Sequence, residues 1–259
     1  MLRCAQYVGM ENAGNNLGRI MIQRLKSTYR NCSQFRYLNN PSNWRMTGTS
    51  IAGVATSLFL MEPRIMVDAG ALLKNRKTPI IPSDLLITHH HGDHNRNIGY
   101  YAELKGKKSV NIVDPVTDYH HGLGGRTYEL TNEVHVKTIE LDHTIKSIGY
   151  GLTSKDGTKE VAMMGDTRID PLYKIPEILE YPVIVIECTN YNPSPNKINM
   201  YRRYGHLSWA EIKDVIINNR DIFFHLIHPS SMMTFKKKYW IQKNLIEGAG
   251  ITNARIWMA

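Results

Sequence analysis

Long hydrophobic runs are missing from this 259-residue chain. No stretch approaches the roughly 18 to 20 apolar residues that a membrane-spanning helix needs, so a membrane role drops out of the expected functions. Cysteine is scarce as well: Cys4, Cys32 and Cys188 are three in number and scattered. That excludes a paired disulfide framework and a cysteine-based zinc knuckle, and fits a reducing, intracellular, cytoplasmic setting. Acidic residues are nearly absent from the first 44 positions, where Glu11 stands alone against Arg3, Arg19, Arg24, Lys26, Arg30 and Arg36. Such an Arg-rich, acid-poor extension reads as a mitochondrial transit peptide, a basic arm or a disordered solvated tail.

What remains is the composition of a folded soluble domain, with 42% hydrophobic and 21% charged residues. The formal net charge of +9 favours an acidic partner, and nucleic acid is the commonest one. A short basic helix is expected over Leu17 to Tyr29, and the turn-rich Asn39-Asn40-Pro41-Ser42-Asn43 marks a boundary. The division is then 1–44 as extension and 45–259 as one main domain. Strands are expected at Ser57 to Met61, Arg64 to Val67, Leu85 to Ile87, Ser109 to Val113, Val134 to Leu141, Val161 to Met164, Val183 to Ile186 and Ile222 to Ile227. Helices are expected at Trp209 to Asn218 and Phe235 to Glu247, which makes the class α/β with layered elements and no internal repeat.

The densest chemistry lies in Thr88-His89-His90-His91-Gly92-Asp93-His94, directly after an apolar run. Histidine and aspartate supply the nitrogen and oxygen ligands that zinc and similar ions prefer, and this loop offers five at once. Asp68, His143, Asp166, Glu187 and His228 likewise stand just past apolar strands. Strand ends converge on one rim of a sheet, where α/β proteins build sites. Some neighbours read otherwise. His90 points away from the ligand side if the loop is extended. His225, an odd number of residues from His228, faces the other side of its strand. His120 and His121 fit a surface loop, and Cys188 a small buried residue.

In this order the motifs resemble the metallo-β-lactamase superfamily over roughly Thr47 to Ser230. The resemblance implies a four-layer αββα sandwich and two divalent metals, zinc first and manganese as the alternative. His89, His91 and His143 would hold one ion, and Asp93, His94 and His228 the other, with Asp166 bridging. Asp68 would orient a ligand histidine. Ile186-Glu187-Cys188-Thr189 and Gly205-His206-Leu207-Ser208 are similar to segments of the tRNase Z branch, which read His-Glu-Ala-Thr and His-Ser-Thr. That implies an endoribonuclease cutting the 3′ trailer of precursor tRNA, with Asp93, Glu187 and His206 catalytic, RNA as partner and a homodimer as its assembly. The departures are in the recognition parts. A short hairpin around Lys155-Asp156-Gly157 stands in place of the family's long arm, Ile51 to Thr56 replaces its Pro/Lys/Arg/Asn loop, and Ala69-Gly70-Ala71 replaces Cys-Gly-Glu-Gly. RNA would then be gripped by Arg202, Arg203 and Lys236-Lys237-Lys238. The alternatives are a small-molecule or cyclic-nucleotide phosphodiesterase and a binding protein with a vestigial site. A β-lactamase is disfavoured because nothing suggests secretion. A β-CASP nuclease would need a large insert after Asp166.

Overall fold

Strands buried on both faces set the architecture. In the computed structural model, residues 42, 44–75, 78–105, 110–114 and 127–258 are described. The N-terminal extension up to residue 41 and the His120-His121 loop lie outside them. The strands run in chain order as β1 (Met46–Ile51), β2 (Ala55–Leu60), β3 (Ile65–Val67), β4 (Lys74–Asn75), β5 (Thr78–Pro79), β6 (Asp84–Leu86), β7 (Asn111–Val113), β8 (Thr127–Glu129), β9 (His135–Leu141), β10 (Ser147–Thr153), β11 (Lys159–Met163), β12 (Val183–Glu187), β13 (Phe223–Ile227) and β14 (Ala254–Ile256). One sheet has the order β1-β2-β3-β6-β7 and the other β14-β13-β12-β11-β10-β9-β8, with β4 and β5 as a separate pair.

Between the two sheets lie Leu58, Ile65, Val67 and Leu86 from one side and Ile148, Tyr150, Met163, Val185 and Ile227 from the other. The intervening residues turn outward. Ala162, Ile184, Ile186, Phe224 and Leu226 pack under the helix Trp209–Asn218. Met66, Leu85 and Ile87 pack with Tyr101 of the helix Ile98–Lys105. The period of two thus gives each sheet two apolar faces, and covering both outer faces with helices produces the four-layer αββα order. No helix among the described residues is long and apolar enough to cross a membrane.

Both sheets change from antiparallel to parallel, and the change positions the site. In the first, β3 pairs β6 in parallel. In the second, β11, β12 and β13 are parallel neighbours. Their carboxyl ends therefore share one rim, to which β3 delivers Asp68, β6 His89, β11 Asp166, β12 Glu187 and β13 His228. Several elements differ from expectation. β1 carries Gly48 and a Thr/Ser-rich stretch rather than apolar alternation, and β10 carries Gly149 and Gly151, residues that normally weaken strands. Gly151 is required there, since an added Cβ would lie 2.2 Å from the Tyr181 hydroxyl. The expected helix from Phe235 is α-helical only to Trp240, widens into a π turn over Ile241–Ile246 and ends at Gly250 with φ +73°. Lys238 is buried within it, so of the expected RNA-binding lysines only Lys236 and Lys237 are exposed.

Candidate metal centre

The site grows from a turn that few residues tolerate. Asp68 leaves β3 with φ +62°, in the left-handed region that aspartate enters more readily than most residues. The turn places its carboxylate under the Thr88 to His94 loop. Oδ1 accepts the Thr88 backbone N–H at 2.8 Å, and Oδ2 accepts from His94 Nδ1 at 2.7 Å. With Nδ1 so engaged, His94 presents Nε2 to the rim. The loop is also tied to the opposite sheet, where Ile148 N donates to Thr88 O at 2.9 Å and the Tyr150 hydroxyl donates to Ile87 O. Gly165 fits against the Thr88 side chain, which an added Cβ would approach to 2.7 Å.

His143, His89 and His228 are aimed the same way, each through its second nitrogen. His143 Nδ1 donates to Gly205 O at 2.9 Å, which leaves Nε2 3.2 Å from His91 Nδ1. His89 Nε2 lies 3.2 Å from the same His91 atom, and its Nδ1 is 3.0 Å from Thr88 Oγ1. His228, held at φ +58°, has Nδ1 3.1 Å from Thr56 Oγ1 and Nε2 3.2 Å from Asp166 Oδ2. Left-handed non-glycine residues cost about 1 to 3 kcal/mol each and persist where the surroundings over-determine them. Asp166 completes the set: its Oδ1 is 3.4 Å from His94 Nε2 and its Oδ2 3.8 Å from His89 Nε2. Asp93 Oδ2 accepts the Gly53 N–H at 2.7 Å and lies 3.7 Å from His228 Nε2.

All seven expected ligands therefore meet, as a group of His89, His91, His143 and Asp166 beside a group of Asp93, His94 and His228, with ligand atoms in each group within 4.8 Å. The protein alone leaves this arrangement unfinished. His94 Nε2 and Asp166 Oδ1 are buried and make no hydrogen bond. Burial and the neighbouring imidazoles push His89 below its ordinary pKa. Burial likewise lowers His91 and His143, against the pull of Asp166. Burial would lower His94 too, but Asp166 and Asp68 outweigh it and hold His94 well above its usual range. Burial opposes ionisation of Asp166, and His228 and His94 more than offset it. Converging imidazole nitrogens, two carboxylates and orphaned buried atoms are the donor set of a divalent cation site, so the residues fit the metals that the sequence resemblance implied.

Glu187 and His206 adjoin this cluster. Thr189 N donates to Leu207 O at 3.1 Å and Trp209 N to Asn190 O at 2.7 Å, which lays the segment after β12 alongside His206-Leu207-Ser208. His206 Nδ1 consequently sits 3.0 to 3.1 Å from both Glu187 oxygens. The buried Glu187 also accepts from Thr167 N and from Thr189 Oγ1, each at 2.7 Å. Burial works against a charged His206, but Glu187 outweighs it with help from Asp166 and Asp93, raising the pKa to about 9. His206 and His91 line a cleft of about 410 Å³ that opens to solvent.

His90 stays out of the cluster and pairs with Asp114 at 2.8 Å. His225 faces the space between the sheets, against Phe223 and Trp257. Cys188 is buried, and burial raises its thiol pKa. Arg203 is exposed, while Arg202 lies 3.8 Å from Asp170. Sequence reasoning missed Thr56, Gly53 and Gly205. The first two lie in the segment read only as a departure from the family pattern, and Gly205 is a glycine whose added Cβ would fall 2.3 Å from His143 Nδ1.

No protein-family model and no curated protein sequence matches the chain. Solved structures do. The metallo-β-lactamase fold protein YhfI from Bacillus subtilis superposes with TM-score 0.58 at 13% identity, over 80% of this chain and 92% of that one. Zn(2+)-bound PqqB from Methylobacterium extorquens follows with 0.52 at 9% identity, over 81% and 95%. An isothiocyanate hydrolase from Delia radicum gut bacteria gives 0.50 at 13% identity, over 80% and 94%. The chain has the metallo-β-lactamase fold.

Proposed function

We propose that the protein is a metal-dependent phosphodiesterase that cleaves RNA, an endoribonuclease of tRNase Z type for which the 3′ trailer of precursor tRNA is a candidate substrate. The observation that carries this reading is the Glu187–His206 pair, hydrogen-bonded at 3.0 Å beside the ligand cluster and facing the cleft. Fold alone assigns no substrate, as the range of its neighbours illustrates. In the proposed site His89, His91, His143 and Asp166 hold one divalent ion, and Asp93, His94 and His228 hold a second that shares Asp166, with zinc preferred over manganese by the imidazole-rich donor set. Such ions, when bound, supply Lewis acidity toward a phosphate oxygen and lower the pKa of water.

The remaining work falls to the chain. Asp93, fixed by the Gly53 N–H, is placed to orient the attacking water and accept its proton. His206 keeps one ring nitrogen on Glu187 and turns its other edge to the cleft, where it can protonate the departing ribose oxygen. Arg203, Lys236 and Lys237 are exposed for phosphate contacts that supply affinity without sequence specificity. The short β10–β11 turn and a cleft of one-ligand size favour, as the second reading, a small phosphodiester such as a cyclic nucleotide.

The test is a parallel assay of the metal-loaded protein on precursor tRNA with a 3′ trailer, unstructured RNA and cyclic nucleotides, with Asp93→Ala as control. RNA cleavage lost in the control is expected. Turnover of cyclic nucleotides alone selects the second reading.

A further inference from the structure

The cleft over the cluster has one wall unlike the rest. His91 and His206 line it with small or hydroxyl-bearing residues such as Gly53, Ser230 and Ser231, and no acid is among them. The other two lining residues are aromatic. Tyr201 and Tyr204 both line it from the helix Pro195–Arg203 and its C-cap, and a spacing of three residues puts them on one helical face. Tyr204 is 63% exposed, a large apolar surface presented to water at the mouth of the site. The helix buries none of its residues, and Arg202 and Arg203 stand in its last turn. It contributes little to the core, and Tyr201 is the residue it places in the cleft lining.

We infer that Tyr201 and Tyr204 form a stacking subsite for one unpaired nucleobase of the nucleotide adjoining the scissile phosphate. This rests on the phosphodiesterase reading above. A phosphate placed on the cluster leaves its attached nucleoside within the same cleft, whose volume of about 410 Å³ lies near the lower end of ligand pockets and suits one nucleotide rather than a duplex. A base has an aromatic face whatever its identity, so stacking on tyrosine grips single strands with little sequence preference. Ser230 and Ser231 supply hydroxyls for a ribose, and Arg203 a cation for the next phosphate. The clamp would hold RNA at the cut itself and so take over part of the task of a remote arm.

The experiment uses the full-length metal-loaded protein and oligoribonucleotides cut at a mapped bond. In matched substrates the residue on one or the other side of that bond is base-bearing or abasic. For the unmodified protein, kcat/KM should be about tenfold or more higher on the base-bearing strand at one of the two positions. In Tyr204→Ala, and more fully in Tyr201→Ala/Tyr204→Ala, that ratio should fall toward one through a rise in KM, while Tyr204→Phe and Tyr204→Trp retain it. A structural defect would lower both substrates together and leave the ratio intact, which would overturn the subsite. An unmodified protein that cleaves RNA with no preference for the base would also overturn it while leaving the nuclease reading standing. An unmodified protein that cleaves no RNA would overturn both, and this is visible before any tyrosine is changed.

Discussion

The two halves of the site are built in opposite ways. His89, His91, Asp93 and His94 come from a single loop that Asp68 pins from below. His143, Asp166, Glu187, His206 and His228 come from five places in the second half of the chain, where Gly205 holds His143, Thr56 holds His228, and Glu187 and His206 hold each other. The first half is a local structure whose geometry follows from a few adjacent dihedrals. The second exists only when both sheets are assembled, since His228 is oriented by Thr56 of the other sheet and His143 by the Gly205 carbonyl. Ligands from a contiguous loop can share a support such as Asp68, whereas dispersed ones such as His143 and His228 each have their own.

This contrast can be tested by perturbing its parts, beginning with the residue common to both. Asp166→Ala removes the carboxylate that lies 3.2 Å from His228 and 3.4 Å from His94. Loss of bound metal from both proposed sites is expected, with turnover of the proposed substrate down on the order of 10³-fold, the equivalent of several kcal/mol. Metal content by elemental analysis checks it, and retention of one full equivalent would assign Asp166 to one site only. Asp68→Asn keeps a residue tolerant of φ +62° but weakens the acceptor for Thr88 and His94. Metal affinity at the site of Asp93, His94 and His228 should fall about 10- to 100-fold in a competition titration with a chelator. Equal weakening of both sites would show that Asp68 supports the whole loop rather than His94 alone. Thr56→Val, a near-isosteric change, removes only the hydroxyl beside His228. A loss of about 1 kcal/mol, roughly fivefold in affinity at the site that contains His228, is expected in the same titration.

Legibility in the sequence followed this division. The loop could be read because its ligands are consecutive, and the strand-end residues because each follows an apolar run. His90 could be set aside from alternation alone, and it does turn to Asp114. The supporting residues were not legible. Thr56 is one threonine among many until the sheets bring it to His228, and Gly205 shows its role only as the space left for an imidazole. The helix Pro195–Arg203 escaped notice because it is short, polar on average and has no fully buried residue. β10 escaped because its glycines argue against a strand, although packing against Tyr181 demands one of them. Lys238 looked like part of an exposed basic run, and helical periodicity turns it inward.

The β1–β2 turn deserves a mechanical description. Ala52 N donates to Pro229 O at 3.2 Å, bridging the hairpin to the segment after β13, while the next amide, Gly53, holds Asp93. Ile148 N makes a second cross-sheet bond to Thr88. These amides are stitches along the seam of the sandwich, and they lie at the metal rim. The sheets cannot part at that rim without releasing the ligands. Hydrogen exchange at Ala52 and Ile148 therefore reports, in one rate, the breathing of the sandwich and the disassembly of its site.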